Sequence, residues 1–71
     1  MTAVELGLRM RERRRDLGLT QEALADLAGC SPRLVRLLET GRPGARLDKL
    51  QDVLETLGLE LRLTPRGGTD A

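Results

Sequence analysis

A chain of 71 residues with twelve basic and eleven acidic side chains has room for one domain and carries a net charge of +1. It has no aromatic residue, no histidine and one cysteine, Cys30, which excludes aromatic base-stacking modes of RNA recognition, a zinc site and a Cys–His nucleophile pair. A domain this small buries only about 60% of the surface its unfolded chain exposes, so oligomerisation is an expected source of stability.

Thr2-x-x-Glu5 has the form of a capping box, and Leu6, Met10 and Leu17 follow at helical spacing, predicting a first helix over Ala3–Leu17 closed by Gly18. Its other face carries Arg9, Arg11, Glu12, Arg13 and Arg15. Thr20 is placed to cap a short second helix with Glu22 in its first turn, an inner stripe of Leu24, Ala25 and Ala28, and an end at Gly29. Ser31-Pro32 opens a third helix, because proline's missing N–H would be unpaired at that position anyway. That helix runs to about Glu39, with Val35 and Leu38 inward, before Gly41. After the turn Arg42-Pro43-Gly44-Ala45, the residues Leu47, Leu50, Val53, Leu54 and Leu57 predict a fourth helix ended by Gly58. Leu59, Leu61 and Leu63 then alternate with Glu60, Arg62 and Thr64, a period of two that predicts a short strand over 59–64. Residues 65–71 (PRGGTDA) read as a flexible tail.

Charge is unevenly spread. Residues 1–46 hold nine arginines against six acids, a balance of +3, while 47–71 hold three bases against five acids, a balance of −2. Eleven of the twelve bases are arginine, the side chain suited to bidentate phosphate and guanine contacts. The front of the chain is therefore expected to face DNA and the rear another protein. Met1 to Leu8 holds no long apolar run, so no signal peptide is expected, and no stretch approaches the roughly 18 apolar residues of a membrane span. A lone cysteine fits a reducing compartment, and the expected location is the cytoplasm, in association with the nucleoid.

The segment Leu19–Gly41 (LTQEALADLAGCSPRLVRLLETG) joins two short helices by a tight turn at Gly29, with Ala25 small enough for close packing. This is the geometry that lays a second helix in the major groove while the first crosses the backbone. Leu19-Thr20-Gln21, Leu24-Ala25, Ala28-Gly29, Val35, Leu38-Glu39 and Gly41, in that order, resemble the Cro/C1-type (XRE) helix-turn-helix family. With Leu6, Met10 and Arg14 before them and Leu57-Gly58 after, the resemblance covers about residues 3–58. It implies a mostly α, four-helix, lambda-repressor-like domain over 1–64, with 59–64 as a C-terminal β-strand for dimer pairing. A narrower similarity, in Gly41-Arg42-Pro43 and LETLGLELRL, is to HipB-type antitoxin repressors, partners of HipA-type kinase toxins.

The family resemblance implies site residues. Gln21 would hold a phosphate oxygen beside the N–H groups that open the second helix. Ser31, Pro32, Arg33, Arg36 and Leu37 would lie on the reading face of the third helix, with Arg42 in the turn beyond. Arg33 is the expected base contact, since arginine to guanine O6 and N7 is the commonest specific pairing, and Arg36 suits a base or a phosphate equally. Pro32 and Leu37 depart from the polar readers usual there, so readout rests on few direct contacts. Arg14 and Glu39 would form an internal ion pair, Cys30 would be core, and Leu59, Leu61 and Leu63 would pair with their twofold mates. The Arg11, Arg13, Arg15 run is either a solvated face or a phosphate or partner surface.

The expected function is a dimeric, sequence-specific, double-stranded-DNA-binding repressor, the antitoxin of a HipBA-like type II toxin–antitoxin system that autoregulates its operon. The alternatives are a module that neutralises a toxin without significant DNA binding, or a free-standing phage-type repressor. Neither catalytic residues nor a cofactor or metal is implied, and a HipA-like kinase is the candidate protein partner.

Overall fold

A computed structural model describes residues 1–66 of the chain; residues 67–71, most of the expected tail, lie outside the described part. Four helices follow one another: α1 (Ala3–Asp16), α2 (Gln21–Ala28), α3 (Pro32–Glu39) and α4 (Leu47–Thr56). Side-chain caps start the first three. Thr2 Oγ1 accepts the Glu5 N–H at 3.1 Å while the Thr2 N–H donates to Glu5 Oε1 at 2.7 Å, a reciprocal capping box. The bond from the Thr2 N–H, with the Thr2 hydroxyl second, favours the ionised form and holds the Glu5 carboxyl below its usual range. Thr20 and Ser31 accept the N–H groups of Ala23 and Leu34 at 3.0 and 3.1 Å. The fourth helix starts at Arg46 with no side-chain cap bond.

Helices of eight to fourteen residues are marginal in isolation, so packing must hold them. Met10, Leu24, Ala25, Val35, Leu38, Val53, Leu54 and Leu57 form one buried cluster. The third helix lies against both α1 and α2, and α4 packs on α2. Gly7 sets how closely α1 approaches α3: a Cβ there would stand 2.5 Å from the Glu39 carbonyl oxygen and nearer still to that of Leu38. Between α2 and α3, Gly29 turns the chain at φ +73°, a conformation that favours glycine. Leu17 and Leu47, in phase with the inner stripes, are 44% and 64% exposed, because each lies at a helix end that overhangs the core.

No strand is formed among the described residues: 59–65 run without regular secondary structure. A strand needs a neighbour for its N–H and C=O groups, and one chain, otherwise helical, offers none. Leu59 packs against the core, while Leu61 and Leu63 are 45% and 95% exposed. Arg62 Nη2 lies 3.2 Å from Glu60 Oε1. Side chains two apart share a side only where the backbone is extended. Among the described residues, no helix is long and apolar enough to cross a membrane.

Candidate nucleic-acid interface

The face of α3 is decided by what its other face buries. Val35, Leu38 and Glu39 point inward, which leaves Arg33, Arg36 and Thr40 exposed and Leu37 half-buried along the outward stripe. Ser31 and Pro32 stand exposed at its N-terminal end, Ser31 as the cap and Pro32 as the first helical residue. Arg33, Arg36, Leu37 and Thr40 line one shallow depression with Arg42, and Ser31, Arg33 and Leu37 line a second with Pro43 and Gly44. The expected reading-face residues therefore fall on one continuous surface.

Behind that surface lies a buried polar cluster. Arg14 Nε donates to Glu39 Oε2 at 2.6 Å and Arg14 Nη2 to Glu39 Oε1 at 3.1 Å, a bidentate pair with side chains 10% and 3% exposed. Arg14 Nη1 donates to the Leu19 carbonyl at 2.7 Å. Gln21 Nε2 donates to Glu39 Oε1 at 3.1 Å. The Glu39 carboxylate thus closes α1 onto α3 and also fixes the side chain that opens α2. Sequence spacing carries no sign of that last bond. No buried side-chain nitrogen or oxygen among the described residues is left without a partner.

Gln21 uses one of its amide hydrogens on Glu39 and keeps the other, beside the N–H groups of residues 21 and 22 that have no helical acceptor. A concavity at this point is bounded by Arg11 and Arg15 of α1, Thr20 and Gln21 at the start of α2, and Arg36 and Thr40 of α3. Arg13 lies elsewhere: its Nε donates to the Leu57 carbonyl at 2.8 Å, closing the end of α4. The run of arginines is thereby split by helical rotation into two that flank α3 and one that does not.

A model of the helix-turn-helix domain family matches residues 5–66. The chain belongs to that family. An uncharacterised HTH-type transcriptional regulator, y4mF of Sinorhizobium fredii, is 35% identical over 66 residues, covering 93% of this chain and 87% of the relative. Among solved structures, the restriction-modification controller protein C.AhdI of Aeromonas hydrophila matches with a TM-score of 0.73 and 34% identity, over 82% of this chain and 84% of that one. A structure of the HipA-HipB-O2-O3 complex contains a chain that matches with a TM-score of 0.82 at 23% identity, over 93% of both chains, a likeness of fold alone. The fold and the relatives together are those of Cro/C1-type helix-turn-helix transcription regulators.

In this helix-turn-helix chain, Cys30 is half-buried and packs against the core. Burial pushes its thiol up, and Asp52 adds to the effect against the opposing charge of Lys49. At the rear, Gln51, Leu54 and Glu55 of α4 and Leu59 and Leu61 of the following segment enclose a groove.

Proposed function

We propose that this chain is a dimeric repressor that reads a palindromic operator with α3, and the antitoxin of a HipBA-like pair that autoregulates its operon. The observation that carries the DNA reading is the outward stripe of α3. Arg33 and Arg36, with Arg42 beyond, have no ion-pair partner among the described residues and stand free to meet base edges and phosphates. Gln21, oriented by Glu39, is the phosphate contact that sets the register of α3. A pure toxin-binding module would have no use for this unneutralised surface.

Pairing of 59–63 with the same segment of a second chain would satisfy its backbone groups and cover Leu61 and Leu63. It would also set two α3 helices about one DNA turn apart, roughly 34 Å. The antitoxin role draws support from the Gly41-Arg42-Pro43 and LETLGLELRL patterns and from the HipB-like fold. A second reading, a free-standing controller of transcription, is favoured by the 34% identity to C.AhdI. A kinase-like gene beside this one separates the two.

The test begins with an operator selected from a random duplex library. Arg33→Ala is expected to cost about 1–3 kcal/mol and to relax preference at one position, whereas Gln21→Ala weakens binding to all sequences alike. Undiminished operator affinity in Arg33→Ala would remove α3 from the reading role. A chain ended after Gly58 is expected to sediment as a monomer and to lose tight operator binding. If it stays dimeric, the interface belongs on α4.

A further inference from the structure

We propose that α1 is part of the DNA-binding surface: Arg11 and Arg15, together with Arg36 and the start of α2, clamp one phosphate group of the duplex backbone. The inference deepens the DNA-binding reading and rests on it.

The charges of α1 are sorted by face. Arg11 and Arg15 are four residues apart and both border the concavity beside α3. Glu12 and Asp16, also four apart, border a different depression with Arg9, Arg13 and Leu59, on the side toward the end of α4. A merely solvated helix face intersperses charges of both signs, which support one another across a turn. Here the acids are on one edge and two arginines are alone on the other.

The remaining charge at the concavity follows from its pairings. Arg14 and Glu39 neutralise each other. That leaves the guanidinium groups of Arg11, Arg15 and Arg36 against the single carboxylate of Glu22. None of the three arginine side chains has a hydrogen-bond or ion-pair partner among the described residues. Arg9, Arg33 and Arg42 are likewise unpartnered among the described residues, whereas Arg46 lies 2.8 Å from Asp48 and Arg62 3.2 Å from Glu60.

Three arginines, Gln21 with one amide hydrogen to spare, and the start of α2 border one concavity. That donor set matches the oxygens of a phosphodiester, which accept from arginine in bidentate fashion and sit well at a helix N-terminus. The polymer rather than a free anion is indicated by continuity. Arg36 borders both this concavity and the depression formed by Arg33, Leu37 and Arg42. A duplex read by α3 therefore carries its backbone past Arg36 and over Arg11 and Arg15.

A phosphate contact is independent of sequence, so the test needs no operator. Binding of the full chain to a random-sequence duplex is followed by fluorescence anisotropy between roughly 50 and 200 mM salt, where each neutralised phosphate adds about 0.9 to the slope of log K against log salt. The variants are Arg11→Gln, Arg15→Gln and their combination, with Arg9→Gln/Arg46→Gln as the control of equal charge. All four positions are exposed, and a thermal melt checks the fold of each variant. The double variant is expected to lose up to about 0.9 from the slope, the share of one phosphate, and to weaken on every duplex alike, while the control keeps the parent slope. A parent that binds with a slope unchanged in the double variant overturns the clamp and leaves the DNA reading standing. Loss confined to particular sequences, without a change of slope, overturns the phosphate assignment in favour of base contacts. A parent that binds no duplex overturns the DNA reading and the clamp with it.

Discussion

Replacing Gly7 by alanine is expected to destabilise the protein, against the usual trend for a helix interior. In an unobstructed helix that change gains about 0.5–1 kcal/mol, because alanine restricts the unfolded chain. At Gly7 the new Cβ would stand 2.5 Å from the Glu39 carbonyl oxygen and 2.7 Å from the Glu39 carbonyl carbon. Non-bonded carbon contacts are comfortable at about 3.5–4.0 Å, so α1 and α3 must part by roughly 1 Å. The obstacle is backbone, which cannot swing aside as a side chain can. Parting the helices also stretches the Arg14–Glu39 contacts of 2.6 and 3.1 Å, whose two residues sit on the same pair of helices. Overpacking of this kind costs about 1–3 kcal/mol and outweighs the gain in propensity. For a chain of this size each kcal/mol lowers Tm by about 4–8 °C. Thermal unfolding of parent and Gly7→Ala by far-ultraviolet circular dichroism, at one fixed protein concentration, measures the difference. A variant as stable as the parent, or more so, would refute the close crossing of α1 over α3.

Two further outcomes follow from the polar contacts. Removing either Arg14 or Glu39 alone is expected to cost about 3–5 kcal/mol, because the other charge is left buried, and a double-mutant cycle in denaturant should show coupling above about 1 kcal/mol; coupling near zero would mean the two charges are separately solvated. The Glu5 carboxyl, depressed by its bonds to Thr2, stabilises the fold at pH values above the ordinary glutamate range, and that contribution disappears as pH falls through the depressed value. Its titration by NMR should therefore lie below that of an unstructured glutamate, and Thr2→Pro, which removes both the N–H and the hydroxyl, should raise it toward the ordinary range.

What could be read from the sequence was local. Thr2, Thr20 and Ser31 announce helix starts because a cap bond spans three residues, and all three make that bond in the structure. The inner stripes of α2 and α3 are legible for the same reason, as period and burial are tied together within one helix. Contacts between helices are another matter. Nothing in the pattern around Gly7 says that a carbonyl of α3 will lie against it, and a glycine inside a helix reads only as a weak point. Gln21 is expected from the family resemblance to hold a phosphate, and nothing in its spacing shows that α3 delivers the Glu39 carboxylate to its amide. The arginines at 11, 13 and 15 look like one run, yet 3.6 residues per turn send Arg13 to the end of α4 and leave the other two beside α3. Period two in 59–63 is legible as a strand, but none forms among the described residues, because this chain offers it no neighbour.

On the proposed function, these contacts divide two tasks between the halves of the molecule. The Glu39 carboxylate ties α1, the start of α2 and α3 into one unit, so the proposed reading stripe and the proposed phosphate contact Gln21 hold their relative positions within a single chain. Short helices cannot supply such rigidity themselves; the buried pair and the core around Met10, Leu24 and Val35 do. The rear segment is built the other way: the Leu59 N–H donates to the Leu54 carbonyl at 2.8 Å, and beyond it Leu61 and Leu63 are exposed on a stretch without regular secondary structure. On the proposed dimer, affinity for one half-site is a property of the monomer, and the gain from reading two half-sites depends on residues 59–63 alone. A chain ended after Gly58 should then bind a single half-site as the parent does, while losing the concentration-dependent step that joins two.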